Sequence, residues 1–482
     1  MAGSALPGAV GGSTSPLAAF KAYDVRGRVP DEVNEDIAYW SGRALAKLIS
    51  GRRVAVGRDM RLSGTALSDA LQRGLNDAGV DVVDLGLVGT EQVYFATFAW
   101  ELAGGVMVTA SHNPADYNGM KFVRDKAIPI SGDTGLQQMS EWVGQALGGS
   151  GPLVTEEPRT PGVREARDVT EEYLAHLLTY VDLRRLRPLR IVANGGDGMA
   201  GPIIQKLQCH LPFSITGLNM EPDGTFPRGV PNPLLVENRE ATGSAVRKAG
   251  ADLGLAWDGD FDRCFFFDEH GDFIEGYYLV GLLAQQALRG SAGGRVVHDP
   301  RLVWNTIELV RDAGGVPVMN KSGHAFIKDR MRRENAVYGG EMSAHHYFRR
   351  FSFCDSGMIP WLLVATLMSE SGGRLSDLVN AHIARYPSSG EINLELPDPA
   401  AALGRFRAAL APDALSLNEI DGVSLEFECW RVNVRMSNTE PLVRVNVETR
   451  GDKALLGRKT EEVLRLLQED GGQEGRVEGA RV

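Results

Sequence analysis

Short apolar runs alternate with amphipathic segments through most of the chain. RVAVGRD (53–59) has the apolar density of a strand, SGTALSDALQRGLNDAG (63–79) the spacing of a helix, and VDVVDLGL (80–87) reads as a strand again. This is βαβ grammar, and it predicts α/β sheets containing parallel pairs. One opening recurs: a basic residue, an apolar strand and a polar turn, in RVAVGRD, RIVANGGD (190–197) and RVVHDP (295–300). Three such starts point to an α/β unit used three times. Breaks fall in GQALGGSGPLVTEEPRTPG (144–162), near DEHGDF (268–273) and around RYPSSGE (385–391). After the last break the pattern changes. LEFECWRVNVRM (425–436) and LVRVNVET (442–449) are alternating strand-like runs around a turn, and KALLGRKTEEVLRLLQE (453–469) is an amphipathic helix. That pattern predicts a final α+β domain of a different type.

Composition narrows the function classes. The 482 residues exceed one compact domain, and 43% hydrophobic content is ample for several cores. A net charge of −11 lacks the basic footprint of a nucleic-acid binder, while leaving room for a local cationic pocket. Cys209, Cys264, Cys354 and Cys429 show no CxxC spacing, as expected of reduced cytosolic thiols. The Gly/Ala/Ser-rich start has no basic n-region, and the longest apolar run, MIPWLLVATLM (358–368), is too short to span a bilayer. A cytoplasmic protein with no membrane or nucleic-acid partner is expected.

Several motifs carry chemistry. In VMVTASHNPADYNGMKFV (106–123) an apolar run ends at Ser111 and His112; a serine hydroxyl needs activation to act as a nucleophile. DGDFDR (258–263) places Asp258, Asp260 and Asp262 at i, i+2 and i+4, an arrangement that repels itself unless a hard cation such as Mg²⁺ neutralises it. Glu269 stands at the twelfth position of an EF-hand register, but Arg263 takes the sixth, where that loop needs glycine. RMSNTEP (435–441) with Arg444 concentrates guanidinium, hydroxyl and amide donors suited to a phosphate; it reads equally well as a turn bonding its own backbone. In GEMSAHH (340–346) a carboxylate and a hydroxyl two residues apart can grip adjacent sugar hydroxyls or can simply be a surface loop. GDGMAG (196–201), with Glu221 beyond it, fits a dinucleotide fingerprint and supports a rival NAD-dependent reading. YDVRG (23–27) and GRDMR (57–61) read as salt-bridged structural turns. There is no P-loop, and no GxSxG elbow that would make Ser111 a hydrolase nucleophile.

Together, in this order, FKAYDVRG, TASHNP, DGDFDR, GEMSAH and RMSNTEP resemble the motifs of the α-D-phosphohexomutase superfamily over residues 18 to 470 or so. The longer runs PNPLLVENR, GADLGLAWDGDFDRC and GEMSAHHYFRRFSFCDSGMIPWLL resemble its bacterial phosphomannomutase branch. The resemblance implies three related α/β domains with mixed sheets and a C-terminal α+β domain of the TATA-box-binding-protein-like type, around a central cleft. The bounds are then a disordered leader at 1–17, domains at 18–160, 161–270, 271–386 and 387–472, and a flexible tail at 473–482. It implies an isomerase that interconverts mannose 1-phosphate and mannose 6-phosphate for GDP-mannose synthesis, with glucose phosphates as the alternative. Hexose 1,6-bisphosphate serves as intermediate and activator, and the enzyme is a monomer or weak homodimer.

The resemblance also implies residue roles. Ser111 carries phosphate and, with Asp258, Asp260 and Asp262, holds Mg²⁺. Arg435, Ser437, Asn438, Thr439 and Arg444 grip the distal phosphate, and Glu341 and Ser343 hold the 3- and 4-hydroxyls. Tyr23, Arg26, Arg263, Arg301, His324 and His345 line the cleft, while His112 and Lys121 accompany the serine. Lys121 or an adjacent His or Arg is the expected general base, and a lysine crowded by cations has a lowered pKa. Ala344 departs from the Gly of many dual-specificity mutases, which bears on sugar preference.

Overall fold

The computed structural model of the protein describes residues 16–157, 159–436, 442–468 and 477–479. Its strands form four sheets, and the recurring opening seen in the sequence occupies the same place in three of them. Arg53–Arg58 pairs in parallel with both Asp81–Leu87 and Gly104–Val108. Arg190–Asn194 does so with Ser214–Leu218 and Leu253–Trp257, and Arg295–His298 with Val316–Met319 and Tyr338–Gly340. In each unit the third of these strands then turns back into an antiparallel partner: Tyr117–Arg124, Cys264–Phe267 and His346–Phe348. The connecting turns contain Ser111, the three aspartates, and the Glu341–His345 loop. The three chemical motifs are therefore one turn, used three times. Each contains one non-glycine residue in the left-handed region: Ser111 (φ 48°), Phe261 (φ 47°) and Ala344 (φ 70°).

Gly104–Val108 and Leu253–Trp257 are buried at every position, as central strands covered on both faces must be. The period-2 alternation sends Val54, Val56, Val106 and Val108 into the core of the first unit. Ala55, Val83, Met107 and Val123 face the other way, into a core that continues through Ile191, Leu255 and Trp257 to Val296 and Trp361. The first three units thus share one hydrophobic interior. At its centre lies the helix Met358–Ser371, whose first eleven residues are all buried. This accounts for the apolar run MIPWLLVATLM, and among the described residues no helix is long and apolar enough to cross a membrane.

The final unit is an antiparallel sheet in the order Ser416–Asn418, Val423–Glu426, Trp430–Met436, Leu442–Thr449, Ile392–Glu395, Val477–Gly479. The helices Pro399–Leu410 and Lys453–Gln468 cover it around a separate core. LEFECWRVNVRM is not one strand. The alternation runs through a hairpin, where Phe427 stacks on Trp430 with ring centroids 4.2 Å apart. Within the segment expected to be a flexible tail, Val477–Gly479 pairs with the otherwise open edge of Ile392–Glu395. A short 3₁₀ turn, Pro16–Ala19, begins in the expected leader and runs into the expected first domain. The GDGMAG turn has a structural cause: a Cβ on Gly201 would lie 1.8 Å from the Met220 carbonyl oxygen. Met199 N–H donates to the Gly259 carbonyl at 2.9 Å, so the turn props the aspartate loop. Glu221, the ribose ligand of the rival reading, is exposed and bonded to Gln205.

Candidate active site

The serine turn is shaped by two residues of GRDMR. Arg61, 2% exposed, donates to the carbonyls of Ser111 (2.8 Å), Asn113 (2.6 Å), Pro114 (2.6 Å) and Tyr117 (2.8 Å). Asp59 accepts from Thr109 Oγ1 at 2.5 Å, and Thr109 Oγ1 in turn accepts from the Ser111 N–H at 2.8 Å. These bonds hold Ser111 in a backbone conformation that a side chain disfavours. Its Oγ then sits 2.9 Å from Asp258 Oδ2 and 3.1 Å from His112 Nδ1. His112 Nδ1 also accepts from Arg263 at 2.5 Å. Burial first, then the charges of Arg263 and Arg26, push its pKa well below the ordinary value, so the ring is neutral.

The aspartate turn lies against the serine turn. Asp258, Asp260 and Asp262 are all buried, and one carboxylate oxygen from each lies within 4.8 Å of the others. Burial, opposed by Arg263 and reinforced by the two neighbouring aspartates, pushes the Asp258 carboxyl up to about 7. Asp260 Oδ1 and Asp262 Oδ1 are buried with no hydrogen-bond partner. Unpaired, inward-facing carboxylate oxygens are costly, and a hard divalent cation answers both the charge and the geometry. The residues present therefore fit a metal of the Mg²⁺ class. Thr90 fixes the turn from the first unit, its Oγ1 donating to Asp260 Oδ2 at 2.5 Å and its N–H to the Asp260 carbonyl at 3.1 Å.

The third turn and the final sheet complete the cleft. Glu341 accepts from Tyr347 Oη (2.5 Å) and the Gly323 N–H (2.8 Å). His345 Nδ1 lies 3.3 Å from Ser343 Oγ, and its Nε2 lies 3.7 Å from Asp262, joining this turn to the aspartates. His324 opens the helix His324–Glu334 and meets Tyr23 edge-on at 5.2 Å. Arg26 reaches Asn113 of the serine turn at 2.8 Å and Asp24 at 2.5 Å. Arg301 bonds Asp299 at 2.6 Å and Ser343 at 3.4 Å. Arg435 and Arg444 are opposed in register on neighbouring strands. Ser437, Asn438 and Thr439 lie outside the described residues.

This arrangement corresponds to known proteins along most of the chain. Residues 17–141, 171–271, 275–386 and 391–466 match the four successive phosphoglucomutase/phosphomannomutase family models: alpha/beta/alpha domains I, II and III, and the C-terminal domain. The chain belongs to this family. It is 58% identical over 452 residues to a protein named phosphohexose mutases from Xanthomonas campestris pv. campestris, covering 94% of this chain and 99% of that one. It is 51% identical over 458 residues to the phosphomannomutase of Escherichia coli K12, with the same coverage. A crystal structure of a phosphoglucomutase/phosphomannomutase family protein from Burkholderia thailandensis superposes with a TM-score of 0.83 at 30% identity, covering 95% of this chain and 99% of that one. The protein is a phosphohexomutase, an isomerase that moves a phosphoryl group.

In this phosphohexomutase one expectation is corrected. Lys121 is crowded by anions as well as cations, and its Nζ lies 2.6 Å from both Asp260 and Asp262. Burial works to lower its pKa, but the two carboxylates outweigh burial and Arg26, and hold it above the ordinary lysine range. Without a cation on the aspartates, Lys121 pairs with two of them. A second acidic group, Asp262, His345 and Asp355, also clusters within 4.8 Å. There the buried Lys328, 2.7 Å from Asp355, already supplies the cation.

Asp59 and Arg61, expected to form only a local salt-bridged turn, shape the serine loop some fifty residues away. Thr90 and Glu391 were given no role from the sequence, and Tyr347 entered only as a neighbour of GEMSAHH. Only the βα position of Thr90, at the start of the helix Thr90–Ala99, could have flagged one of them.

Proposed function

We propose that the protein is a phosphomannomutase that interconverts mannose 1-phosphate and mannose 6-phosphate and supplies GDP-mannose synthesis. The observation that carries this reading is Ser111 Oγ, held 2.9 Å from Asp258 at the edge of a buried carboxylate cluster with unpartnered oxygens. A phosphoryl group on that oxygen is placed beside a cation site. Relatives named phosphomannomutase support the choice of sugar.

Asp258, Asp260, Asp262 and phosphorylated Ser111 would hold Mg²⁺, which neutralises charge on the phosphoryl oxygens and on the serine oxygen as it leaves. Arg435 and Arg444, with Ser437, Asn438 and Thr439, bind the substrate's existing phosphate. Glu341 and Ser343 orient the 3- and 4-hydroxyls. These contacts present the 6-hydroxyl of mannose 1-phosphate in line with phosphoserine. The bond from phosphorus to Ser111 Oγ breaks as the bond to the sugar oxygen forms, giving mannose 1,6-bisphosphate and free serine. After the bisphosphate turns over within the cleft, Ser111 takes the phosphoryl group from the 1-position, releasing mannose 6-phosphate. Each transfer moves one proton between a sugar hydroxyl and the protein. Lys121 or an adjacent histidine or arginine serves as the general base. Arg26 and Arg263 balance the transferring phosphate, and Tyr23 and Arg301 border the sugar. A hexose 1,6-bisphosphate restores phosphoserine if the intermediate escapes.

The test is intact-mass measurement of purified protein and of Ser111→Ala. The wild type is expected to carry an added phosphate that maps to Ser111, and the variant to lose mutase turnover. Near-wild-type activity in Ser111→Ala removes this reading. Comparing turnover of mannose 1-phosphate and glucose 1-phosphate with glucose 1,6-bisphosphate present decides the sugar.

A further inference from the structure

Glu391, in the turn leading into Ile392–Glu395, faces three arginines. Its carboxylate lies 3.0 Å from Arg435, 3.5 Å from Arg444 and 3.3 Å from Arg301. The first two are opposed in register on Trp430–Met436 and Leu442–Thr449, and the third, which bonds Ser343, comes from the third unit. Burial would raise the Glu391 carboxyl, but the three guanidinium groups hold it at about 2, so it is fully ionised at neutral pH. A half-buried carboxylate is an unusual lining for a site built to hold a phosphate, since the two anions repel. None of the expected roles accounts for it.

We propose that Glu391 is a positioning residue that weakens the phosphate grip by design, cancelling part of its positive charge so that the bisphosphate can let go and turn over inside the cleft. This rests on the mutase reading above. A hydrolase or a simple binder needs to grip its substrate only once. A mutase that returns the other phosphate to the same serine must exchange the two ends of one intermediate in the same arginine pocket. Binding both ends as tightly as the arginines allow would deepen the well in which the bisphosphate sits and slow every turnover. One carboxylate set among three arginines shallows that well. It also keeps the guanidinium groups converged when no phosphate is present. Because Arg301 contacts Glu391 and Ser343 together, release of the phosphate is linked to release of the sugar hydroxyls.

The geometry separates this role from simple preorganisation through the sign of one effect. Glu391→Gln keeps an oxygen acceptor for the arginines and removes the charge. It is expected to lower the KM for mannose 1-phosphate and the inhibition constant of inorganic phosphate, each by roughly threefold or more. kcat should fall by a similar factor, so that kcat/KM changes little. Glu391→Asp keeps the charge and is expected to stay near the wild-type KM and kcat, which also controls for folding. An unchanged or raised KM and phosphate inhibition constant in Glu391→Gln overturns the proposal and leaves Glu391 as a preorganising group. Phosphate binding, followed by calorimetry, needs no turnover. A wild type without mutase activity would therefore end the mannose phosphate reading, while the affinity of the two variants for inorganic phosphate would still decide the part played by Glu391.

Discussion

The aspartate turn of the second unit and the Glu341–His345 turn of the third occupy the same place in the same topology, yet they do opposite things with charge. In the first, three buried carboxylates crowd together and two of their oxygens have no partner. In the second, the single carboxylate, Glu341, is bonded at both oxygens by Tyr347 and the Gly323 N–H, while Ser343 and His345 remain partly exposed. The first is an incomplete site that a cation completes. The second is satisfied without an ion, which leaves the Ser343 hydroxyl, the His345 imidazole and the spare lone pairs of Glu341 for a ligand in the cleft. The backbone turn is common property. What differs is how many polar atoms the surrounding protein leaves unsatisfied.

The largest test of this contrast is on Thr90, which supports the aspartate turn without being one of its carboxylates. Thr90→Val removes the hydroxyl that donates to Asp260 Oδ2 and is expected to weaken Mg²⁺ affinity by about 10- to 100-fold, read as the Mg²⁺ concentration for half-maximal activity. Thr90→Ser should restore it. An unchanged Mg²⁺ requirement in Thr90→Val would mean that the turn holds its own geometry.

The neighbouring Glu91 tests how the same helix binds the third unit. Its carboxylate accepts from Ser356 and from the N–H groups of Gly357 (3.0 Å) and Met358 (3.2 Å), at the start of the central helix. Burial pushes its carboxyl up to about 8, against these hydrogen bonds and that of Tyr173. The unfolded carboxyl titrates near 4.5. Between those values the folded protein binds the extra proton, so this group's contribution is fully present below about 4.5 and is lost as pH rises toward 8. Thermal melts of Glu91→Gln are therefore expected to show a flatter pH dependence across that window. The slope removed is up to about 1.4 kcal/mol per pH unit. A wild-type slope in the variant would show that Glu91 does not titrate there.

The smallest effect concerns the shared left-handed position. Ala344→Gly relieves backbone strain in the sugar turn and should raise stability by about 0.5–1 kcal/mol, measured by denaturant melts. The equivalent Phe261 is fully buried, and its ring fills the space a Cβ on Gly89 would need, so the same relief there would empty a core position. A destabilised Ala344→Gly would mean that the methyl group packs more favourably than the strain costs.

The repeated α/β unit was legible because apolar strands with basic starts recur, and the serine, aspartate and sugar motifs stood out because their residue types are unusual in sequence. What sequence could not reveal was distance. Arg61 read as a local partner of Asp59, and nothing in GRDMR tells that its guanidinium spans four carbonyls of another loop. Lys121 was visible, but its electrostatic sign was not, since that depends on two carboxylates more than a hundred positions away. Glu391 lay in a segment that looked only like a domain break. LEFECWRVNVRM misled because alternation persists through a tight hairpin when the turn itself carries an aromatic pair.

The division of the hydrophobic interior has a mechanical consequence. Three units are welded by a single apolar core, whereas the fourth has its own and meets its neighbour through polar joints: Glu448 with Tyr277 (2.5 Å) and the Val303 N–H (2.8 Å), and Arg431 with the carbonyls of Pro300 and Arg301. Such a joint can be parted without tearing apolar surface from both bodies. The joined units carry the serine and the aspartates, and the fourth carries Arg435 and Arg444. Parting the molecule there would separate the two arginines from the serine and the aspartates while leaving each apolar core whole.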